Sequence, residues 1–378
     1  MLRKLTLAVA VVAAVALRLW TAQRGYNDDT LTVFEIAHMP LGANFYQELP
    51  YRANWGPIAY WFFQIFERLP RGDFIHSYRI YLSVFFTAFD LVTAFILYRL
   101  WNATAALIFL FSPVAVIIAG YHCNAEPALV ATALIGLYIY ETRKAVDQIP
   151  AGLHIAIGVS LAWKHSFVLL PLWLAMRPVP WKERVRGLAL TYSTWLLLVA
   201  YYLFPSPQYF ADNVLRYSSW SGNALIPSAV TALVDVLGVD FIYAEIRVLW
   251  LPLFLAMFLA FGFTIRRLPI RQIFLFYPLA LLSFTSAVAL QYFDLSMYSL
   301  AVGPNAPVWI FHAVSGYEFA GHEDELGMFS LPAAFTSQFK AQGEFYYNQA
   351  WWILQALLLW ILVDRWRSVR RGLPAHTH

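Results

Sequence analysis

Four short stretches of this 378-residue chain concentrate side chains able to move a proton or hold an anion. "RGYNDDTLTVFEIAH", residues 24–38, places Asp28 and Asp29 directly after the first apolar segment. "GYHCNAEP" offers His122, Asn124 and Glu126; "WKHS" offers Lys164, His165 and Ser166; "LQYFD" offers Gln291, Tyr292 and Asp294. Two adjacent carboxylates repel when both are desolvated, so such a pair suits a general base, a metal ligand, or a solvated helix cap that needs only one of them. Lys164 stands inside "GVSLAWKHSFVLLPLWL", deep in apolar sequence. An ionisable group at membrane depth is costly. It either snorkels outward from a short hairpin or neutralises a phosphate as a point charge. Carboxylates, imidazoles, an ammonium and amides on one face suit transfer chemistry on a phosphate-bearing substrate, with cations for the leaving phosphate and a carboxylate for the attacking hydroxyl.

The elements that must position these groups are apolar. Hydrophobic residues make up 60% of the chain and charged ones 13%, against about 25% charged in a usual soluble domain. Mean hydropathy is +0.57. The apolar runs predict an all-α polytopic membrane protein, a single domain over 1–378, with segments near 5–22, 80–98, 103–119, 124–140, 150–163, 165–176, 187–204, 248–265, 271–290, 292–303, 306–320 and 349–364. Some are short enough to be hairpins or re-entrant pieces, so about 10–12 membrane helices are expected. The first segment reads as a retained helix and not a cleaved signal. With Cys123 as the only cysteine, no intrachain disulfide can form.

The basic clusters "MLRK", "ETRKAV", "RPVPWKERVR", "RRLPIR" and "DRWRSVRR" fall on one side of a twelve-segment topology. By the positive-inside rule that side is cytoplasmic, with both termini there. The net charge of +4 sits mainly in these clusters, which gives no nucleic-acid surface. The four chemistry-bearing stretches then share the outer face. So do the loops 23–79, 205–247 and 321–348. In 23–79, "DDTLTVFEIAHM" and "GPIAYWFFQIFERLP" read as short interfacial helices, joined by a turn-rich connector. Arg52, His38, His76, Arg79 and Arg247 are further candidates for the outer face. Asp90 reads as a packing polar group partnered by another helix, and His312 as a helix-interior residue. "GHEDELG" at 321–327 matches no trusted metal spacing.

An acidic pair opening a long outward loop after the first helix resembles the C-type glycosyltransferase fold, whose polytopic members use polyprenyl-phosphate sugars. "NFYQELPYRANWGPIAYW" resembles that family's Tyr-rich, Pro-containing run, "LAWKHSFVLLPLWL" its lysine-bearing hairpin, and "ALQYFDLSMYSLAV" the start of a late helix in bacterial members. Two departures stand out. The family's Pro–Pro is Gly56–Pro57 here, and Phe293–Asp294 follow the "QY" where an apolar–Trp pair is usual. The resemblance implies an inverting hexosyltransferase, mannosyltransferase-like, in the plasma (inner) membrane. It would move a sugar from a polyprenyl-phosphate donor to a lipid, glycan or protein acceptor. Asp28 or Asp29 would be the base, with Asp28, better anchored to the first helix, slightly preferred. Lys164, His165, His122, Glu126, Arg52, Arg79, Arg247, Gln291 and Tyr292 would bind donor or phosphate. The sequence names no cofactor with certainty, and a divalent metal at the acidic pair stays open. The competing expectations are a lipid-linked-sugar flippase or transporter, which should carry polar groups through the bilayer midplane, and a glycan polymerase or ligase.

Overall fold

The computed structural model describes residues 2–24, 28–40, 42–49, 54–69, 74–143, 149–215, 224–237, 249–322 and 345–371. Among them every regular element is helical and no strand occurs. The chain divides into two compact units, Met1–Tyr217 and Ser218–His378.

In the first unit, α1 (Leu2–Ala22) leads to α2 (Asp28–Ala37), α3 (Phe45–Glu48) and α4 (Pro57–Glu67). The long α5 (Phe74–Leu100) follows, then α6 (Ala103–Leu110) and α7 (Pro113–Ile117), which runs into a π-turn at Ile118–His122. Next come α8 (Glu126–Thr142), α9 (Ala151–Trp163), α10 (Leu170–Ala175), α11 (Trp181–Leu203) and α12 (Pro207–Phe210). The second unit holds α13 (Leu225–Leu237), α14 (Trp250–Thr264), α15 (Ile270–Phe284), α16 (Asp294–Ala301), α17 (Ala306–His322) and α18 (Phe345–Arg370).

Among the described residues one helix, Ser77–Leu100, is long and apolar enough by itself to cross a membrane. The single segment expected at 103–119 is instead broken. Asn102 caps α6 by accepting from the Ala105 N–H at 2.8 Å, Pro113 opens α7, and the two pieces bend by 52°. Proline has no N–H for the helix and its ring clashes with the preceding turn, so the chain cannot run straight through. Likewise 165–176 divides into a 3-10 turn, His165–Phe167, and α10. The apolar run 271–290 leaves the helix at Phe284. In the loop 205–247, where no helix was expected, α12 and α13 form.

The two loop helices expected in 23–79 are present as α2 and α4, with α3 added inside the connector. An aromatic cluster holds α3 and α4 in place. Tyr46 and Phe45 meet Tyr60 and Tyr202, and the Tyr46 hydroxyl donates to Trp55 O at 2.8 Å. Burial, with Tyr202 beside it, pushes the Tyr46 phenol well above its ordinary value, so it serves as a donor. Asn213 Nδ2 donates to Tyr46 O at 2.9 Å and ties the connector to the end of the unit.

Asp90 has the partner expected of it. Arg18 Nε of α1 donates to Asp90 Oδ2 at 2.8 Å, and both side chains are buried. Arg18 Nη1 also donates to Ala14 O and Leu110 O, so one guanidinium ties α1, α5 and α6 together. Along α5 the residues Arg79, Ser83, Thr87, Asp90 and Thr93 are all buried. Polar groups inside the helical layer are therefore more numerous than the sequence pattern suggested. In the second unit, Arg365 of α18 closes α16, donating to Ser299 O at 2.9 Å and Val302 O at 2.6 Å.

Candidate functional site

Three of the four chemistry-bearing stretches come together in the first unit, and helix ends bring them there. The π-turn after α7 widens the helix by one residue, a distortion frequent at functional sites. Cys123 then takes a left-handed conformation with φ of 51°, the only non-glycine residue to do so among those described. Such a residue costs of order 1–3 kcal/mol and persists only when its surroundings hold it. Here they do. Cys123 Sγ lies within donating reach of Gly120 O and Arg79 O, either of which can accept its one proton, and burial pushes the thiol up to about 11 even with the Arg79 guanidinium beside it. Arg79 Nη2 donates to Tyr121 O at 3.3 Å. Pro127 starts α8 afresh, so Asn124 and Glu126 sit at a helix N-terminus and not inside one long helix. Gly120 is required for the approach of α1: a Cβ there would lie 2.0 Å from Thr21 Oγ1.

Asn124 is the hub of this turn. Its Nδ2 donates to Asp29 Oδ2 at 3.2 Å, and its Oδ1 accepts from Trp55 Nε1 at 2.6 Å and from the Ala125 N–H at 2.8 Å. Asp29 stands in the first turn of α2, where the helix end favours a carboxylate. Thr30, its neighbour, donates to His122 O at 3.2 Å. Asp28 begins α2, but its side chain lies outside the described residues.

Lys164 ends α9 with an extended backbone, φ −164° and ψ 144°, which turns its side chain toward the start of α8. Its Nζ contacts Glu126 Oε1 at 2.5 Å, with both side chains buried. Lys164 therefore does not snorkel, and its charge is balanced by Glu126 inside the protein. The second oxygen, Glu126 Oε2, is buried and accepts no hydrogen bond among the described residues. Asp29 is close enough to Glu126 to act on it electrostatically. Asn124, Asp29, Glu126 and Lys164 thus form one polar group at the ends of α2, α8 and α9. It holds two carboxylates against one ammonium.

Glycine at position 56, ahead of Pro57, has a geometric reason. The Gly56 N–H donates to Trp163 O at 2.7 Å, and a Cβ at 56 would meet Ala162 O at 2.0 Å. A proline at 56 would lose that donor and collide with the end of α9. Phe62 of α4 stacks on Trp163 at 5.4 Å, reinforcing the same seam beside Lys164. We expect Gly56→Ala to destabilise the protein by about 1–3 kcal/mol, as overpacking does. Thermal unfolding in detergent measures the loss, and a variant as stable as the parent would contradict the close approach of α4 to α9.

The remaining candidates are placed as follows. His122 is buried, with its ring 5.8 Å from that of Tyr121. His165 is half-buried in the 3-10 turn after Lys164, and its Nδ1 makes no hydrogen bond among the described residues. His38 lies at the far end of α2 from Asp29, beside Glu67 at 3.4 Å. The side chain of His76, all of Arg52 and Arg247, and most of 321–348 lie outside the described residues. Gln291 and Tyr292 belong to the second unit, on the 3-10 turn Leu290–Phe293 ahead of α16, and are half-buried. His312 is a buried residue of α17, as expected. No cluster of three or more His, Cys, Asp or Glu side chains placed to hold a metal occurs among the described residues.

Sequence reasoning did not single out Trp55, noted Gly56 only as standing where Pro–Pro was expected, and took Asn124 only as one polar group among several. A tryptophan before Gly–Pro in an otherwise polar connector was the available signal. Comparison of the chain with family models, curated proteins and solved structures finds no match.

Proposed function

We propose that the protein is a polytopic membrane glycosyltransferase. It would transfer a hexose, mannose being the first candidate, from a polyprenyl-phosphate donor to a lipid, glycan or protein acceptor at the outer face, with inversion. The observation that carries the reading is the convergence of Asp29, Asn124, Glu126 and Lys164, from three separated stretches, at adjoining helix ends in the first unit. These stretches include two of those that resemble the polyprenyl-phosphate-dependent family, together with the outward turn of Asn124.

In this reading Asp29, the carboxylate that Asn124 holds, is the base in place of Asp28, which the sequence slightly favoured and whose side chain lies outside the described residues. The acceptor O–H gives its proton to Asp29 as its oxygen forms a bond to the anomeric carbon. The bond from that carbon to the phosphate oxygen breaks, and polyprenyl phosphate leaves. One displacement inverts the centre, and one base suffices. Lys164, balanced by Glu126 in the free protein, is the cation proposed to meet the charge that develops on the leaving phosphate.

Membrane crossing is supported by Ser77–Leu100 and by the bent pair Ala103–Leu110 and Pro113–His122. Large apolar side chains also stand exposed on several helices, among them Val12, Phe95, Leu197, Leu251 and Trp360. Exposed apolar side chains of this kind suit helices that face lipid. The expected topology keeps both termini cytoplasmic in the plasma (inner) membrane. The polar stripe on α5, with Arg18–Asp90 within it, favours the flippase as second reading, because intramembrane charges often mark transport paths. Mass spectrometry of lipid-linked sugars and envelope glycans, from cells with and without the gene, separates the two. A transferase predicts a glycan lacking one hexose while its polyprenyl-phosphate donor accumulates. Complete glycans with lipid-linked sugars trapped on the inner leaflet would instead establish the flippase.

A further inference from the structure

The group around Asp29 contains a side chain whose orientation is determined by hydrogen-bond chemistry. An indole N–H only donates, as does a backbone N–H. Trp55 Nε1 at 2.6 Å and the Ala125 N–H at 2.8 Å both point at one end of the Asn124 amide. That end must be the oxygen. The other end is then the NH2, and it faces Asp29 Oδ2 at 3.2 Å. Reversing the amide would set N–H against N–H on one side and oxygen against carboxylate on the other. Asn124 is buried, as is Trp55. Trp55 is itself anchored, since its carbonyl accepts from the Tyr46 hydroxyl and Gly56 beyond it is pinned to Trp163 O.

We propose that Asn124 is a positioning residue for Asp29, with Trp55 as the latch that keeps the amide the right way round. The proposal rests on the reading of Asp29 as the base. The Asn124 NH2 occupies Oδ2 and orients the carboxylate about its own axis. Oδ1 accepts from no described residue and is the oxygen that receives the proton of the acceptor hydroxyl. The left-handed backbone at Cys123 is part of the device, because it aims the next residue across the turn at α2. Trp55 and Asp29 thus act as one unit through a single amide, although 26 residues separate them in sequence. Loss of the latch leaves the Ala125 N–H as the one remaining donor to that oxygen and weakens the hold on the amide's orientation.

The test uses the full-length protein in detergent with polyprenyl-phosphate mannose as donor and water as acceptor, reading released mannose. Asn124→Ala should lower kcat by roughly 10- to 100-fold with KM for the donor little changed, since geometry at the reacting group is lost and donor contacts are kept. Trp55→Phe, which retains an aromatic ring at that position, should lower kcat by about 3- to 10-fold through the loosened amide. The double variant should be no slower than Asn124→Ala alone, because Trp55 acts through Asn124. A merely structural role predicts losses that track the fall in unfolding temperature and move KM as well. If Asn124→Ala does not fold, Trp55→Phe decides alone. A folded Trp55→Phe protein with parental kcat overturns the proposal. So do multiplicative losses in the double variant. Failure of the underlying reading looks different: in that case Asp29→Asn itself turns over normally.

Discussion

Asp29→Asn should leave the protein folded and cut sugar release from polyprenyl-phosphate mannose by roughly 10²- to 10⁴-fold, the contribution expected of a general base. The substitution is chosen for what it keeps. Its amide oxygen can still accept from Asn124 Nδ2, and an amide side chain serves the start of α2 nearly as well as a carboxylate. What it removes is the capacity to take a proton. If Asp29 is only a helix cap, the variant should lose no more than about 1–2 kcal/mol of stability and turn over normally. Asp28→Asn, measured alongside, should cost less, because the hydrogen bond from Asn124 goes to Asp29. A folded double variant with full activity would end the transferase reading and leave the flippase in its place.

Lys164→Ala should destabilise the protein by about 3–5 kcal/mol, because it strands Glu126 as an uncompensated buried charge. Both side chains are buried, so water offers little relief. That cost would mask any effect on the donor, and the informative variant removes both charges together. Lys164→Met with Glu126→Gln should recover most of the stability, since a buried pair replaced by neutral groups of similar volume is often neutral in energy. Sugar release by this folded double variant should still fall by roughly 30- to 150-fold, which is about 2–3 kcal/mol for a lost charge-assisted contact to phosphate. Parental activity in the double variant would make the ion pair a purely structural joint between α8 and α9. Parental stability in Lys164→Ala would contradict the buried pair itself.

The order of helices, the two short helices in the first loop and the side-chain types available for chemistry were legible in the sequence, because each is a local property. The apolar run of α5, the aromatic pattern of α4 and the basic clusters between segments need no partner to be recognised. Asp90 announced that it needed a partner, since a lone carboxylate in an apolar helix is too costly to leave unpaired. Which partner it takes was not legible. The break at 111–113 was marked by Pro113, but a proline sets where a helix bends and not whether the pieces remain one span.

What only the tertiary structure decided is the pairing. Asp29 meets Asn124 across 95 residues, Lys164 meets Glu126 across 38, and Arg18 meets Asp90 across 72. Each contact depends on the axial register of packed helices. A slide of one residue shifts a side chain by about 1.5 Å along the axis and turns it by about 100° around it. Helical periodicity reports which face is buried and is silent on that register. The register of α4 against α9 is set by Gly56 at the end of α9, and that of α1 against α7 by Gly120 beside Thr21. Glycine carries no side chain for a sequence pattern to read. These close approaches, made possible by missing side chains, turn a list of separated polar residues into one site.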